Sequence, residues 1–243
     1  MSEPTDASRG AQAEHLRRVV TSLSAADGPA VFEQVAVVLG AKGGVGASAA
    51  TLAIARELAA AAPAGEGIAV LAVDAHPGRS DLAYLTRASG LPSPRVALST
   101  SVKLGVHPPA GQGPAAIEIA KKLLRSARRW IDGAEAWAVI DAGVADSRWG
   151  RELASRAARP LLVTTPDGLS LVNTLAALKR LGAPAASRVG LLVNHCPDAR
   201  AAEAARDAVG RACRASLGCE PTLAGWLPTL VGEATEAEVR AVA

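Results

Sequence analysis

The stretch Gly40-Ala41-Lys42-Gly43-Gly44-Val45-Gly46-Ala47-Ser48 constrains this chain more than any other. Before it runs Val35-Ala36-Val37-Val38-Leu39, a continuous apolar segment of the kind that forms a buried parallel strand. After it, Ser48 to Ala62 is rich in Ala and Leu, which favour helix. Strand, glycine loop and helix in that order bring free backbone N–H groups and the positive end of a helix to one point. Such a point attracts phosphate without any side-chain charge. The spacing approaches the phosphate-loop pattern G-x-x-x-x-G-K-[ST], with two departures. Ala41 stands where the first glycine belongs, and Ala47 stands where a lysine would reach the phosphates. Lys42 supplies a positive charge near the start of the loop instead.

The rest of the chain can build a domain around that loop. At 243 residues, with 49% hydrophobic and 20% charged residues, it is long and apolar enough for one α/β domain with a sizeable core. Aromatics are only 2%, so the core is Ala, Val and Leu, and a base-stacking nucleic-acid surface is not expected. The formal charge of +3 permits an acidic partner without demanding one. Cys196, Cys213 and Cys219 lack metal-ligand spacing and fit a reducing cytosol better than a disulfide framework. No apolar run is long enough to span a bilayer, and the polar start MSEPTDASRG does not read as a signal peptide.

Along the chain, residues 1–30 read as a flexible segment with a short helix at about 11–24, and residues 31–243 as the domain. Strands are expected at 33–39, 68–73, 136–140, 160–164, 188–193 and 223–226. Helices are expected at 48–62, 79–88, 114–130, 148–158, 168–181, 199–216 and 232–242. This alternation predicts an α/β fold: an open, mostly parallel sheet with helices on both faces. The proline-rich stretch 90–113 reads as an irregular connection.

In open α/β sheets ligands sit at the carboxyl ends of the strands, so the residues there are the candidates. Asp74 and Asp141 each follow an apolar run. A carboxylate in that place either reaches a phosphate-bound magnesium or caps the next turn. Asn194 follows the apolar run 188–193, where an asparagine commonly serves as a turn residue. His15, His107 and His195 have no partner visible in sequence and read as ordinary surface or loop residues. The run Lys121 to Arg129 reads as a solvated helix face.

These residues resemble the MinD/ParA superfamily of deviant Walker-A P-loop ATPases, whose loop reads KGGVGK[ST]. The resemblance makes Lys42 the signature lysine that reaches a nucleotide across a homodimer interface, and Ser48 the magnesium ligand. It implies ATP or ADP with magnesium as cofactor, held by Lys42, Gly43, Gly44, Val45, Gly46, Ala47, Ser48, Asn194 and Pro228. Ser48, Asp74 and Asp141 would serve the metal, and Lys42, Asp74 and Asp141 are the catalytic candidates. Pro166-Asp167 matches a "TTPE/D" segment, and Gly225-Trp226-Leu227-Pro228 a late "G-x-[IL]-P" segment near the base. The departures matter: His76 replaces the second Asp of the switch-I D-x-D, and Ala145 replaces the switch-II glycine. With Ala47, they predict weak or absent hydrolysis.

Within the superfamily, Gln12, Ala13, Leu16 and Arg17 are similar to the DQAxxLR segment of FlhG (FleN, YlxH), the regulator of flagellar number and placement. That likeness implies docking on the signal-recognition-type GTPase FlhF. The stretch from Arg211 to Pro228 resembles the late part of FlhG as well. The final residues, Glu233 to Ala243, are acidic and poor in bulky side chains, so no autonomous membrane binding is expected. A cytoplasmic protein, recruited to membrane or pole by a partner, follows; DNA binding does not. Two alternatives stay open. One is a working ATP-switch ATPase in which Lys42 compensates for Ala47. The other is a pilus or secretion localisation factor similar to CpaE/TadZ, whose loop often reads GAKGGVGAT, or to BcsQ.

Overall fold

The computed structural model of the chain describes residues 35–60, 69–75, Leu82, Leu85, 95–99, 102–107, 136–157 and 160–228. The helices expected at 11–24, 114–130 and 232–242 lie outside them, as does most of 79–88, where Leu82 and Leu85 are helical. In chain order the elements are β1 (Val35–Gly40), α1 (Ala47–Ala60), β2 (Ala69–Asp74), β3 (Arg95–Ser99), β4 (Val102–His107), β5 (Ala136–Val144) and α2 (Arg148–Arg156). They continue with β6 (Pro160–Thr164), α3 (Gly168–Leu181), α4 (Ala183–Ala186), β7 (Gly190–Cys196), α5 (Ala199–Leu217) and β8 (Thr222–Pro228).

The eight strands form one sheet in the order β3-β4-β2-β5-β1-β6-β7-β8. All neighbours are parallel except the edge pair β3 and β4. β1 lies near the centre between β5 and β6, which is why Val35 to Leu39 is an unbroken apolar run. Its side chains alternate between two cores. Val35, Val37 and Leu39 pack with Ile140, Leu153, Leu178 and Leu191 on one face, while Ala36 and Val38 pack with Ile54, Leu58, Val70 and Val139 on the other. The first face is covered by α2, α3 and α5, the second by α1.

Three expectations need correction. The 90–113 stretch holds two strands, paired antiparallel with Ser99 opposite Val102. Its prolines, Pro92, Pro94, Pro108 and Pro109, bracket the strands rather than interrupt them, so no ladder donor is lost. β5 does not stop at Ile140 but runs on to Val144, with a register shift against β1 between Val38 and Gly40. Asp141 therefore lies within a strand rather than after one. Asn194 likewise belongs to β7, which continues to Cys196.

Candidate functional site

The loop leaves β1 between its two neighbours. Ala41 N–H donates to the Val163 carbonyl at 2.8 Å, and Ala145 N–H donates to the Gly40 carbonyl at 2.9 Å. These bonds staple the loop entrance to β6 and to the end of β5. A Cβ on Gly40 would lie 2.9 Å from the Lys42 carbonyl oxygen, so the chain turns there too tightly for a side chain. Gly44 and Gly46 then take φ of 80° and 84°, the left-handed region that glycine enters without steric cost. Val45 between them is buried and anchors the loop in the α1-side core.

The other side of the loop is open. Gly43 and Gly44 are exposed, and a Cβ on either would meet nothing within 4 Å. The helix α1 starts immediately afterwards, with Ala50 N–H bonding the Gly46 carbonyl at 2.9 Å and the Thr51 hydroxyl donating to the Ala47 carbonyl at 3.0 Å. The first N–H groups of a helix have no intrahelical acceptor, and Gly46 has no side chain with which to cap them. An anion on the open side would satisfy them and meet the positive helix end. Lys42, Ala47 and Ser48 are half-buried around this opening.

Two buried carboxylates stand beside it. Asp74 ends β2 and is paired in register with Asp141 of β5. Asp141 accepts a bond from Gly143 N–H at 3.0 Å, bending the strand end where Gly143 has φ of 68°. Asp74 accepts one from Leu82 N–H at 3.4 Å. Each carboxylate thus organises backbone; carboxylate and hydroxyl oxygens such as those of Asp74, Asp141 and Ser48 are the donor type magnesium takes. Among the described residues there is no group of three or more His, Cys, Asp or Glu able to hold a metal alone.

Asn194 is buried, and its amide nitrogen donates to the Val45 carbonyl at 2.9 Å, across 149 residues of sequence. This amide therefore holds the loop itself. Pro228 ends β8 in register with Cys196, and its neighbour Leu227 joins the same core as Val45. The structure thus gathers Lys42 to Ser48, Asp74, Asp141 and Asn194 at the carboxyl ends of adjacent strands. Gln12, Ala13, Leu16, Arg17 and His76 lie outside the described residues.

On the β6 side, Asp167 caps α3. It accepts the Ser170 N–H at 2.9 Å, the Ser170 hydroxyl at 2.6 Å and the Thr165 hydroxyl at 2.5 Å. The Ser170 hydroxyl, the Thr165 hydroxyl and the Ser170 N–H together hold its carboxyl well below the usual carboxylate range, with a smaller contribution from the Lys42 charge. The "TTPD" segment is thus a helix cap.

Two residues here stand out only in the structure. Gly150, in the first turn of α2, has no room for a side chain against Val144 and Leu39. His195 is exposed, and among the described residues it is the one non-glycine with positive φ, at 53°. For Gly150 the forbidding atoms lie on the end of β5, on the α2 cap and on Leu39 of β1, an arrangement that only the fold produces. The three cysteines are free thiols, and burial pushes those of Cys196 and Cys213 up. Among the described residues no helix is long and apolar enough to cross a membrane.

No protein-family profile matches the chain, and no curated protein sequence does. Solved structures do. A ParA-family ATPase from Chlorobium tepidum TLS superposes with a TM-score of 0.59 at 20% identity, covering 86% of this chain and 89% of its own. MinD in the MinC:MinD cell division complex of Aquifex aeolicus gives 0.59 at 17% identity, with 82% of each chain covered. The septum site-determining protein MinD of Pyrococcus horikoshii OT3, complexed with Mg-ADP, gives 0.54 at 18%, covering 84% of this chain and 85% of its own. Identities this low speak for architecture: the chain has the fold of the MinD- and ParA-type P-loop ATPases.

Proposed function

We propose that this chain is an FlhG-like regulator of flagellar biosynthesis, binding ATP or ADP with magnesium at the glycine loop, with weak or lost hydrolysis. The observation that carries the nucleotide reading is the loop: an open glycine cradle at the start of α1, with Ala47 where a phosphate-reaching lysine belongs. Mg-ADP is present in the Pyrococcus MinD structure of the same fold, and MinC partners MinD in the Aquifex one. In this chain, Lys42 and backbone N–H groups from Gly43 to Ser48 would hold the phosphates. Ser48, Asp74 and Asp141 would face the magnesium, and Asn194 and Pro228 would border the base. Loss of the lysine removes charge where phosphoryl transfer needs it most. The partner reading rests on Gln12, Ala13, Leu16 and Arg17: docking on an FlhF-like GTPase, with a homodimer through the Lys42 face as the nucleotide-dependent state. The protein would work in the cytoplasm, reaching membrane or pole through a partner and not through DNA or lipid of its own.

Calorimetry with Mg-ATP and Mg-ADP on the wild type and on Ala47→Lys tests the site. The restored lysine should tighten binding roughly ten- to a hundredfold, the worth of one charge-assisted hydrogen bond. In parallel, the full chain should raise GTP turnover by a signal-recognition-type GTPase, and Leu16→Ala with Arg17→Ala should remove that rise. No stimulation would sink the partner reading. A second reading, the ATP switch, is favoured by Lys42 itself, a cation retained in the open loop where Ala47 has none. ATP turnover by the wild type that Lys42→Ala abolishes would install it. A CpaE/TadZ-like or BcsQ-like localisation factor, favoured by the same Ala47, would bind nucleotide alike but leave the GTPase untouched.

A further inference from the structure

Side chains at successive strand positions point to opposite faces of a sheet. Asn194 and His195 do not follow that rule. Both side chains approach the last glycine of the loop: measured from the place a Cβ on Gly46 would occupy, Asn194 Nδ2 is 2.3 Å away and His195 Nε2 4.0 Å away. The backbone makes this possible. Asn194 is pinned from within by its bond to the Val45 carbonyl at 2.9 Å, and the next residue turns through φ of 53°. That conformation costs about 1 kcal/mol or more for a residue with a Cβ, and such strain gathers where geometry serves a function. The turn leaves the imidazole exposed next to Gly46, at the start of α1, where Ala47 provides no charge.

We infer that His195 is a ligand-binding residue, donating from its imidazole to the phosphate end of a nucleotide seated on the loop and supplementing Lys42 in a loop that has alanine at position 47. The assignment rests on the nucleotide reading of the loop. Asn194 is its positioning residue: a buried amide that fixes both the loop carbonyl and the strand end from which His195 departs. An imidazole has two ring nitrogens, so one can face phosphate while the other faces water.

The test uses the full chain and two replacements, both compatible with positive φ. His195→Asn keeps the backbone and removes the ring, and His195→Gly removes the ring and the strain together. Affinities for Mg-ADP, magnesium pyrophosphate and adenosine are measured alongside thermal stability. Both variants should lose roughly tenfold in affinity for Mg-ADP and for pyrophosphate, the value of one hydrogen bond to a charged group, with adenosine unchanged. Equal binding by wild type and variants, with stability raised in His195→Gly, would reduce the turn to a structural one and overturn the assignment. Weaker adenosine binding with pyrophosphate unchanged would overturn it too, placing His195 against the base. If the wild type binds none of the three ligands, the nucleotide reading itself has failed and takes this assignment with it.

Discussion

Gly46→Ala is expected to unseat the loop and destabilise the fold by about 3 kcal/mol, and to abolish nucleotide binding at the same time. Two effects combine. At φ of 84° an alanine is strained wherever it has room, and here it has none, because its Cβ would stand 2.3 Å from Asn194 Nδ2. A side-chain tip can often swing away cheaply. This one is buried and bonded to the Val45 carbonyl at 2.9 Å, so moving it breaks the bond that holds the loop. Urea denaturation gives the stability change, and a cycle with Asn194→Ala gives the coupling. The double variant should lose less than the sum of the two singles, because truncating Asn194 makes room for the new methyl group. Strict additivity, or a Gly46→Ala protein as stable as the wild type, would contradict the latch between β7 and the loop.

The second large effect is expected where α2 packs on the ends of β1 and β5. Gly150→Ala should cost about 3 kcal/mol, although glycine-to-alanine changes inside helices normally stabilise. The added Cβ would meet the Val144 carbonyl oxygen at 2.5 Å, Ser147 Oγ at 2.9 Å and Leu39 Cδ2 at 3.1 Å. The first of these is backbone at the end of β5 and cannot rotate aside. The second is the cap of α2, whose hydroxyl accepts the Gly150 N–H at 2.8 Å, so relieving the contact disturbs the cap. Gly210→Ala in α5 is the control: its Cβ would meet Glu220 Oε2 at 3.4 Å, ordinary contact with a side-chain end. It should be neutral or slightly stabilising in the same thermal melts. Equal behaviour of the two variants would mean that the α2–β5 junction yields more easily than its geometry implies.

Gly150 and Gly46 also illustrate what reading a sequence can reach. The glycines of the loop were recognisable because their spacing and flanks are local: an apolar run before, a helix former after. Gly150 lies in an expected helix with nothing nearby to mark it, since the atoms that forbid its side chain include one on Leu39, over a hundred residues earlier in the chain. Helix α3 occupies the expected 168–181, and the structure shows Asp167 capping its start and Gly182 following Leu181. The hairpin of β3 and β4 was not legible in the sequence, because prolines weigh on a whole stretch in sequence although none belongs to either strand.

What the sequence determined by itself is the strand–loop–helix unit, the α/β class and the alanine at position 47, all consequences of short-range propensity and residue identity. The tertiary structure decided the rest. It set the order of the strands, placed Asp74 in register with Asp141, and joined Asn194 to Val45 across 149 residues. Each of these depends on which strands become neighbours in a twisted parallel sheet. A residue's own neighbours in sequence carry no information on that, because crossover connections, not adjacent residues, bring the carboxyl ends of parallel strands together.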